Sequence, residues 1–558
     1  MKTNTLVGCA VAAAIAAASG AAHATAITNY ASNESSNLNV NVYISGSTAV
    51  TNTLNSVIQN ATLGICQSGT VNEYQDRGLV LAGPNPHTGT IGGAIETMWY
   101  CQAGSASGVS TNLYLAIFKE DTAGSINGAQ PLIAVAKGQS SNLTFLNPEG
   151  PDVQAGTCAD YLVVTGGNHG TDGGCTVGDF SDNVIPAGGV ADVEANLLRK
   201  VPGGGQLSAS DISTYLSGAP GLDIVWGLGV TKNLYYALQS AEGLTSSCPT
   251  TGLGKDSPSC APTFSKAQVA SILDGDVTKW SQLGLTNSTD PSIHICRRDV
   301  GSGTEASFEA YFLGARCSTS ALAMAVQNPP RVVEEASTGN ILNCMEAFDL
   351  GGITITPYNG DFGTTYQPFT PTGGSWAVGI LSTELTSTQI NSYDTTADGG
   401  NGTTRMVAID GVLPTIENVA NGYDPYWGTD VWYSVPTTGT QYNPLNTPYP
   451  TAANPTIVFG KIQSFIGHPT PTVAADSTYE NVWGDGGDMS PAKLFLSEYT
   501  ETYPVTPSEA ESQPINPFTK ASTGSVNNCS TPVLYTGVAT SQSAPESTLL
   551  GSGPNVNQ

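Results

Sequence analysis

Basic residues are scarce in this chain: 18 Lys and Arg stand among 558 residues against 45 Asp and Glu, for a formal net charge of −27, and charged residues of both signs make up only 11%. A duplex-binding protein needs a Lys/Arg stripe to displace condensed counterions, and no such stripe occurs, so nucleic acid is excluded as a partner. Sustained heptads are missing too. Gly, Pro, Ser and Thr interrupt the chain every few residues, which rules against coiled coils and long helical arrays. No C-x-x-C pair occurs, so a zinc framework is not expected. His87, His169, His294 and His468 are scattered and read as ordinary histidines, so no metal or cofactor is expected.

What is present suffices for a folded protein. The hydrophobic share is 39%, with 22 Tyr, 13 Phe and 7 Trp, while 64 Gly and 34 Pro supply loops. A single core stops growing near about 250–300 residues, so more than one folding unit is expected. Lys2, the apolar run Leu6 to Ala18 and the small-x-small pattern Ala22-His23-Ala24 mark residues 1–24 as a cleaved secretory signal. The run falls short of the roughly 20 residues a membrane span needs. A lipobox-like Leu6-Val7-Gly8-Cys9 is also present, but its apolar segment follows the cysteine instead of preceding it. Of 11 cysteines Cys9 leaves with the signal, and an even number remains in an exported chain. Disulfides are therefore expected, with Cys66 and Cys101, Cys158 and Cys175, and Cys248 and Cys260 the pairs nearest in sequence.

Two strand–turn–helix units carry the chemistry. Val40 to Ile44 reads as a strand that runs into Ser45-Gly46-Ser47-Thr48, after which Ala49, Val50, Leu54, Val57 and Ile58 recur at helical spacing. Ser292 to Cys296 reads as a second strand, followed by Arg297-Arg298-Asp299-Val300-Gly301-Ser302-Gly303-Thr304 and a helix over 305–312. A helix start leaves backbone N–H groups without partners, at the end where the dipole favours an anion. Arginine adds a planar fork suited to a tetrahedral oxyanion, and the Ser-Gly-Thr tripeptide adds hydroxyls.

At these residues the chain resembles the phosphate-type periplasmic solute-binding proteins of ABC transporters. The likeness continues, in order, through Ser265 to Gly275 with Trp280, Arg298 to Thr304, Trp376 to Leu381, and Ile409 to Val419 with Gly422-Tyr423. The resemblance implies an α/β, two-lobed type II binding-protein fold with crossing hinge strands, here with long loop insertions and an irregular C-terminal extension. Strands at 224–230 and 376–381 read as the crossings. Lobe one is then expected from 25–225 and 385–500, lobe two from 226–384, and an extension of low complexity from 501–558, with Cys529 as its candidate pin.

In such proteins the ligand lies between the lobes on helix starts, hydroxyls, an arginine and an aspartate. The resemblance carries this to Ser47, Thr48 and Ala49 on the first turn, and to Arg298, Ser302, Gly303 and Thr304 on the second. Arg297 is the alternate for a one-residue change of strand register. Ser125 and Asp182 match further family positions, with Asp179 competing for the latter. An ionised carboxylate accepts a hydrogen bond only from a protonated oxyanion, which would select hydrogen phosphate over sulfate.

The reading is a periplasmic or extracellular, monomeric, non-enzymatic receptor for inorganic phosphate or a related oxyanion, with a membrane ABC permease as its partner. An extracellular surface or matrix protein on the same scaffold, with a degenerate or altered pocket, is the alternative. Neither Ser47 nor Ser302 lies in a G-x-S-x-G elbow, which argues against a hydrolase. The turns at 398–402 and 485–488 offer oxygen ligands but not the twelve-residue calcium-loop order, and read as plain turns.

Overall fold

A computed structural model describes residues 30–76, 96–121, 124–151, 153, 160–163, 180–198, 207–249, 257–287, 289–318, 322–358, 365–383, 404–436, 453–467, 487–491, 505, 514–520 and 525–535. The signal segment, Cys158 and Cys175, Asp179 and the turn at 398–402 lie outside these residues.

The N-terminal part supplies β1 (Asn39–Gly46), β2 (Asn72–Asp76), β3 (Glu96–Gln102), β4 (Tyr114–Glu120), β5 (Thr144–Leu146), β6 (Asp160–Val163), β7 (Phe180–Asp182) and β8 (Gly188–Ala191). The middle supplies β9 (Ser217–Thr231), β10 (Thr263–Phe264), β11 (His294–Arg298), β12 (Val332–Glu335) and β13 (Ala377–Ser382). The remainder adds β14 (Thr404–Met406), β15 (Ala408–Ile409), β16 (Trp427–Ser434), β17 (Asp488–Pro491), β18 (Ile515–Asn516), β19 (Phe518–Thr519) and β20 (Val533–Leu534).

The architecture is mixed α/β: among the described residues one large sheet runs β12-β11-β13-β9-β16-β8-β1-β4-β3-β2-β6, with β14, β17 and β18 attached off this path. β1 lies parallel to both β4 and β8. Seven consecutive residues of β1 are buried, as a central strand covered on both faces requires. β11 is likewise parallel to β12 and β13. Between these two parallel groups runs β9, whose 15 residues serve both. Its Val225 pairs with Trp427 of β16, and the next residue, Trp226, pairs with Ser382 of β13. The crossing strand expected at 224–230 is therefore longer, and its partners change within one residue step. β13, the expected return strand, pairs antiparallel to it.

β14 pairs with Gly229 to Thr231 of β9, beside β13, and β15 pairs with β10 in a separate two-stranded sheet.

Helices close the core over this sheet. Thr51–Gln59 buries Leu54, Val57 and Ile58, and Gly303–Leu313 buries Ala306, Phe308 and Phe312. Lys266–Leu273 starts in a full capping box between Ser265 and Gln268. The four tryptophans Trp99, Trp226, Trp280 and Trp432 are among the largest fully buried side chains.

Disulfides join Cys66 to Cys101 and Cys248 to Cys260 as the spacing suggested. Cys296–Cys344 and Cys317–Cys529 were not foreseen as pairs. Among the described residues of the C-terminal extension, β18 pairs with β17, β19 pairs with β20, and Cys529 is bonded to Cys317. No helix among the described residues is long and apolar enough to cross a membrane.

Candidate functional site

The carboxyl ends of β1, β4, β8, β11 and β12 deliver the loops that meet here. In open α/β sheets the crevice beyond such ends is where ligands bind. Ser47 follows β1, Asp121 and the Gly124–Gly128 turn follow β4, Asp192 follows β8, and Arg298 with Ser302 to Thr304 follows β11. Ala336 and Thr338 follow β12. The Ile126 N–H donates to the Gly301 carbonyl at 3.0 Å, so the loop after β4 touches the loop after β11 directly.

Asp192 is the centre of the cluster and is buried. The Ser47 hydroxyl donates to Asp192 Oδ1, and Thr304 Oγ1 donates to Oδ2 at 3.3 Å. The Asp192 N–H donates to Ser125 Oγ at 3.1 Å. Gly303 sits so close that a Cβ there would overlap the Ser125 hydroxyl, so only glycine lets the helix start approach. Burial pushes the Asp192 carboxyl above the usual carboxylate range, and the Arg298 guanidinium acts against that rise.

Arg298 is 1% exposed. Its Nη1 donates to Thr338 Oγ1 at 3.1 Å and its Nη2 to the Ala336 carbonyl at 3.0 Å, while Nε is buried with no hydrogen-bond partner. Glu335 stands across from it on β12. Burial pushes Glu335 well above the usual carboxylate range, again against Arg298. Arg297, the alternate, points elsewhere because successive side chains on a strand alternate faces. Its guanidinium donates to Glu305 Oε1 at 2.7 Å and to Glu334 Oε1, a buried structural cluster.

Ser302 caps the Gly303–Leu313 helix by accepting from the Glu305 N–H. The first-turn serine behaves comparably, since Ser47 Oγ accepts from the Ala49 N–H at 3.1 Å. Thr48 is half-buried just beyond β1. Ser47, Ser125, Arg298, Ser302, Gly303 and Thr304 are thus brought together, with Thr48 and Ala49 at their edge.

Asp182 is not. It lies exposed on β7, accepts from Thr144 Oγ1 at 2.8 Å, and belongs to a separate two-stranded sheet with β5. The aspartate that reaches the crevice is Asp192, because β8 and not β7 runs parallel to β1. Sequence reasoning missed it: the Gly188-Gly189 start of β8 reads as loop, although Val190-Ala191-Asp192 repeats the apolar-strand-then-polar pattern of the other ends.

Lys119 and Asp121 were also unassigned. Lys119 is fully buried, and its ammonium donates to the carbonyls of Gly46 and Glu120, each at 3.0 Å, and to Asp121 Oδ1. Thr51 Oγ1 donates to the same Asp121 oxygen at 2.8 Å. Burial pushes the Asp121 carboxyl up and Lys119 acts against it. These bonds lock the end of β1, the end of β4 and the first helix start into one unit. Among the described residues no cluster of three or more metal-ligating side chains occurs.

No protein-family model matches this chain, and no curated protein does. Solved structures do. A Clostridium perfringens protein assigned as a phosphate ABC transporter substrate-binding protein, solved with bound phosphate, is similar at 12% identity over 78% of this chain and 97% of that one, with a TM-score of 0.34. The high-affinity periplasmic phosphate-binding protein PfluDING, bound with phosphate, is similar at 10% identity over 71% and 80%, with a TM-score of 0.30. PstS from Borrelia burgdorferi is similar at 11% identity over 71% and 86%, with a TM-score of 0.27.

Proposed function

We propose that this chain is an exported, non-enzymatic solute-binding protein that holds an oxyanion, inorganic phosphate before others, between two lobes. The observation that carries the reading is the meeting of Ser47, Ser125 and Asp192 from one parallel group with Arg298, Ser302, Gly303 and Thr304 from the other. Hydroxyls and helix-start amides suit the oxygens of a tetrahedral anion, Arg298 balances its charge, and Asp192 accepts from a protonated one. Lobe one is taken as the β1-β4-β8 group with β16, and lobe two as the β11-β12-β13 group with β14. Closing the lobes assembles the full set, so binding and closure are linked. A membrane permease of the ABC type receives the anion in this reading, and the receptor acts as a monomer.

Titration calorimetry with phosphate and with sulfate, on the natural chain and on Arg298→Ala, tests the proposal. Phosphate binding that exceeds sulfate binding and disappears in the variant is the expected result. Unchanged phosphate binding in Arg298→Ala would overturn the site, and no binding of either anion to the natural chain would overturn the function.

One observation favours a second reading, an extracellular surface or matrix protein with an altered pocket. The Ser47 and Thr304 hydroxyls donate to Asp192, the group a bound anion would share with them. Self-assembly in solution without thermal stabilisation by any oxyanion is the result this reading expects.

A further inference from the structure

We infer that the segment 525–535 is a strap across the hinge, covalently fastened by Cys317–Cys529, that restrains opening of the crevice. The inference rests on the two-lobe reading above, but not on which anion is bound.

The strap grips both sides within two adjacent residues. Asn528 is held to the first parallel group: its N–H donates to both oxygens of Glu194 at 3.1 and 3.2 Å, and its Nδ2 donates to Glu194 Oε2 at 2.8 Å and to the Thr429 carbonyl at 3.1 Å. The Thr429 N–H returns a bond to Asn528 Oδ1 at 2.9 Å. Glu194 lies two residues after Asp192 on the loop from β8, and Thr429 lies on β16, opposite Asp223 of β9. The next residue, Cys529, is bonded to Cys317, which follows the Gly303–Leu313 helix of the second group.

The reach of this connection is short. The Cα atoms of the bridged cysteines are 5.6 Å apart, and one peptide step adds about 3.8 Å. Lobe opening that carries the helix away from β16 must therefore either tear Asn528 from Glu194 and Thr429 or stop. The grip falls where β9 changes partners, two residues from Trp427, so it acts on the rotation itself. Arg316 reinforces it from the neighbouring position, its Nη1 donating across to the Leu197 carbonyl at 2.8 Å. Cross-links between residues 212 apart in sequence also confine the unfolded chain, but a stabilising bridge alone would not alter local opening in the folded state.

Hydrogen exchange on the full chain without added anion separates the two roles. The reporter is the Ile126 N–H, whose acceptor Gly301 lies on the other group. In Cys317→Ser/Cys529→Ser the peptide carrying Ile126 is expected to exchange at least tenfold faster while β1 amides keep their protection. Unchanged Ile126 exchange with β1 still protected would overturn the strap. If the double variant fails to fold, Asn528→Ala with the disulfide intact is read in the same way: faster exchange supports the strap, and unchanged exchange overturns it. Failure of phosphate binding in calorimetry bears on the ligand, whereas this measurement bears on the hinge.

Discussion

Asp192 ties three loops together, accepting from the Ser47 and Thr304 hydroxyls and donating its N–H to Ser125, and its carboxylate chemistry sets what the proposed site can discriminate. As an acceptor it welcomes an oxyanion bearing a proton and repels one without. Asp192→Asn replaces one acceptor oxygen by a donor and is expected to bring sulfate and phosphate affinities within about tenfold of each other, as read by competition calorimetry. Thr304→Val, which removes one hydroxyl next to Asp192 while keeping the side chain's shape, should weaken phosphate binding by about 1 kcal/mol, near fivefold. At this scale the sequence was partly legible. Arg298, Ser302, Gly303 and Thr304 sit in one short run after a readable strand, so their convergence follows from local order. Asp182 and Asp192 differ only in which strand they end, and strand neighbours are a tertiary matter.

The elements that build the site are two strand–turn–helix units whose tight turns depend on small residues. Gly46 ends β1 at φ 110, and a Cβ there would overlap the Val190 carbonyl and the backbone of Gly128. Those atoms are main chain and cannot swing aside. Gly46→Ala is therefore expected to cost about 2 kcal/mol or more, seen as a lower urea midpoint with an unchanged slope. Both helices were legible from their apolar spacing, but their starts were not. The first begins at Thr51, because Thr48 to Val50 form a turn, and the second begins at Gly303, two residues before the expected 305. Caps depend on individual hydrogen bonds, here Ser302 to the Glu305 N–H, which periodicity does not encode.

For the whole molecule, burial of titratable groups where β9 meets β16 makes stability depend on pH. Burial pushes Asp223 on β9 up to about 7, against hydrogen bonds from Thr429 and Asn516. Asp424 is likewise pushed up to about 7 by burial. In the unfolded chain such groups lose their proton near 3.8, so between about 4 and 7 the native state binds more protons and stability falls as pH rises. Burial lowers Lys520 to about 8 from 10.5, so above about 8 its contribution runs the other way and stability rises with pH. The melting temperature is expected to drop by several degrees between pH 4.5 and 7.5, and Asp223→Asn should flatten that slope; a slope unchanged in the variant would remove Asp223 as its cause. The sequence by itself determined what depends on short separations along the chain: strands, two strand–turn–helix units, two disulfides between cysteines 12 and 35 positions apart, and an alternation that separates Arg297 from Arg298. Tertiary structure alone decided the order of strands in the sheet, and with it the choice of Asp192, the partner change on β9 and the Cys317–Cys529 strap. Such contacts join residues as much as 334 positions apart, and their spatial separation is set by packing of the whole sheet, to which no local pattern is sensitive.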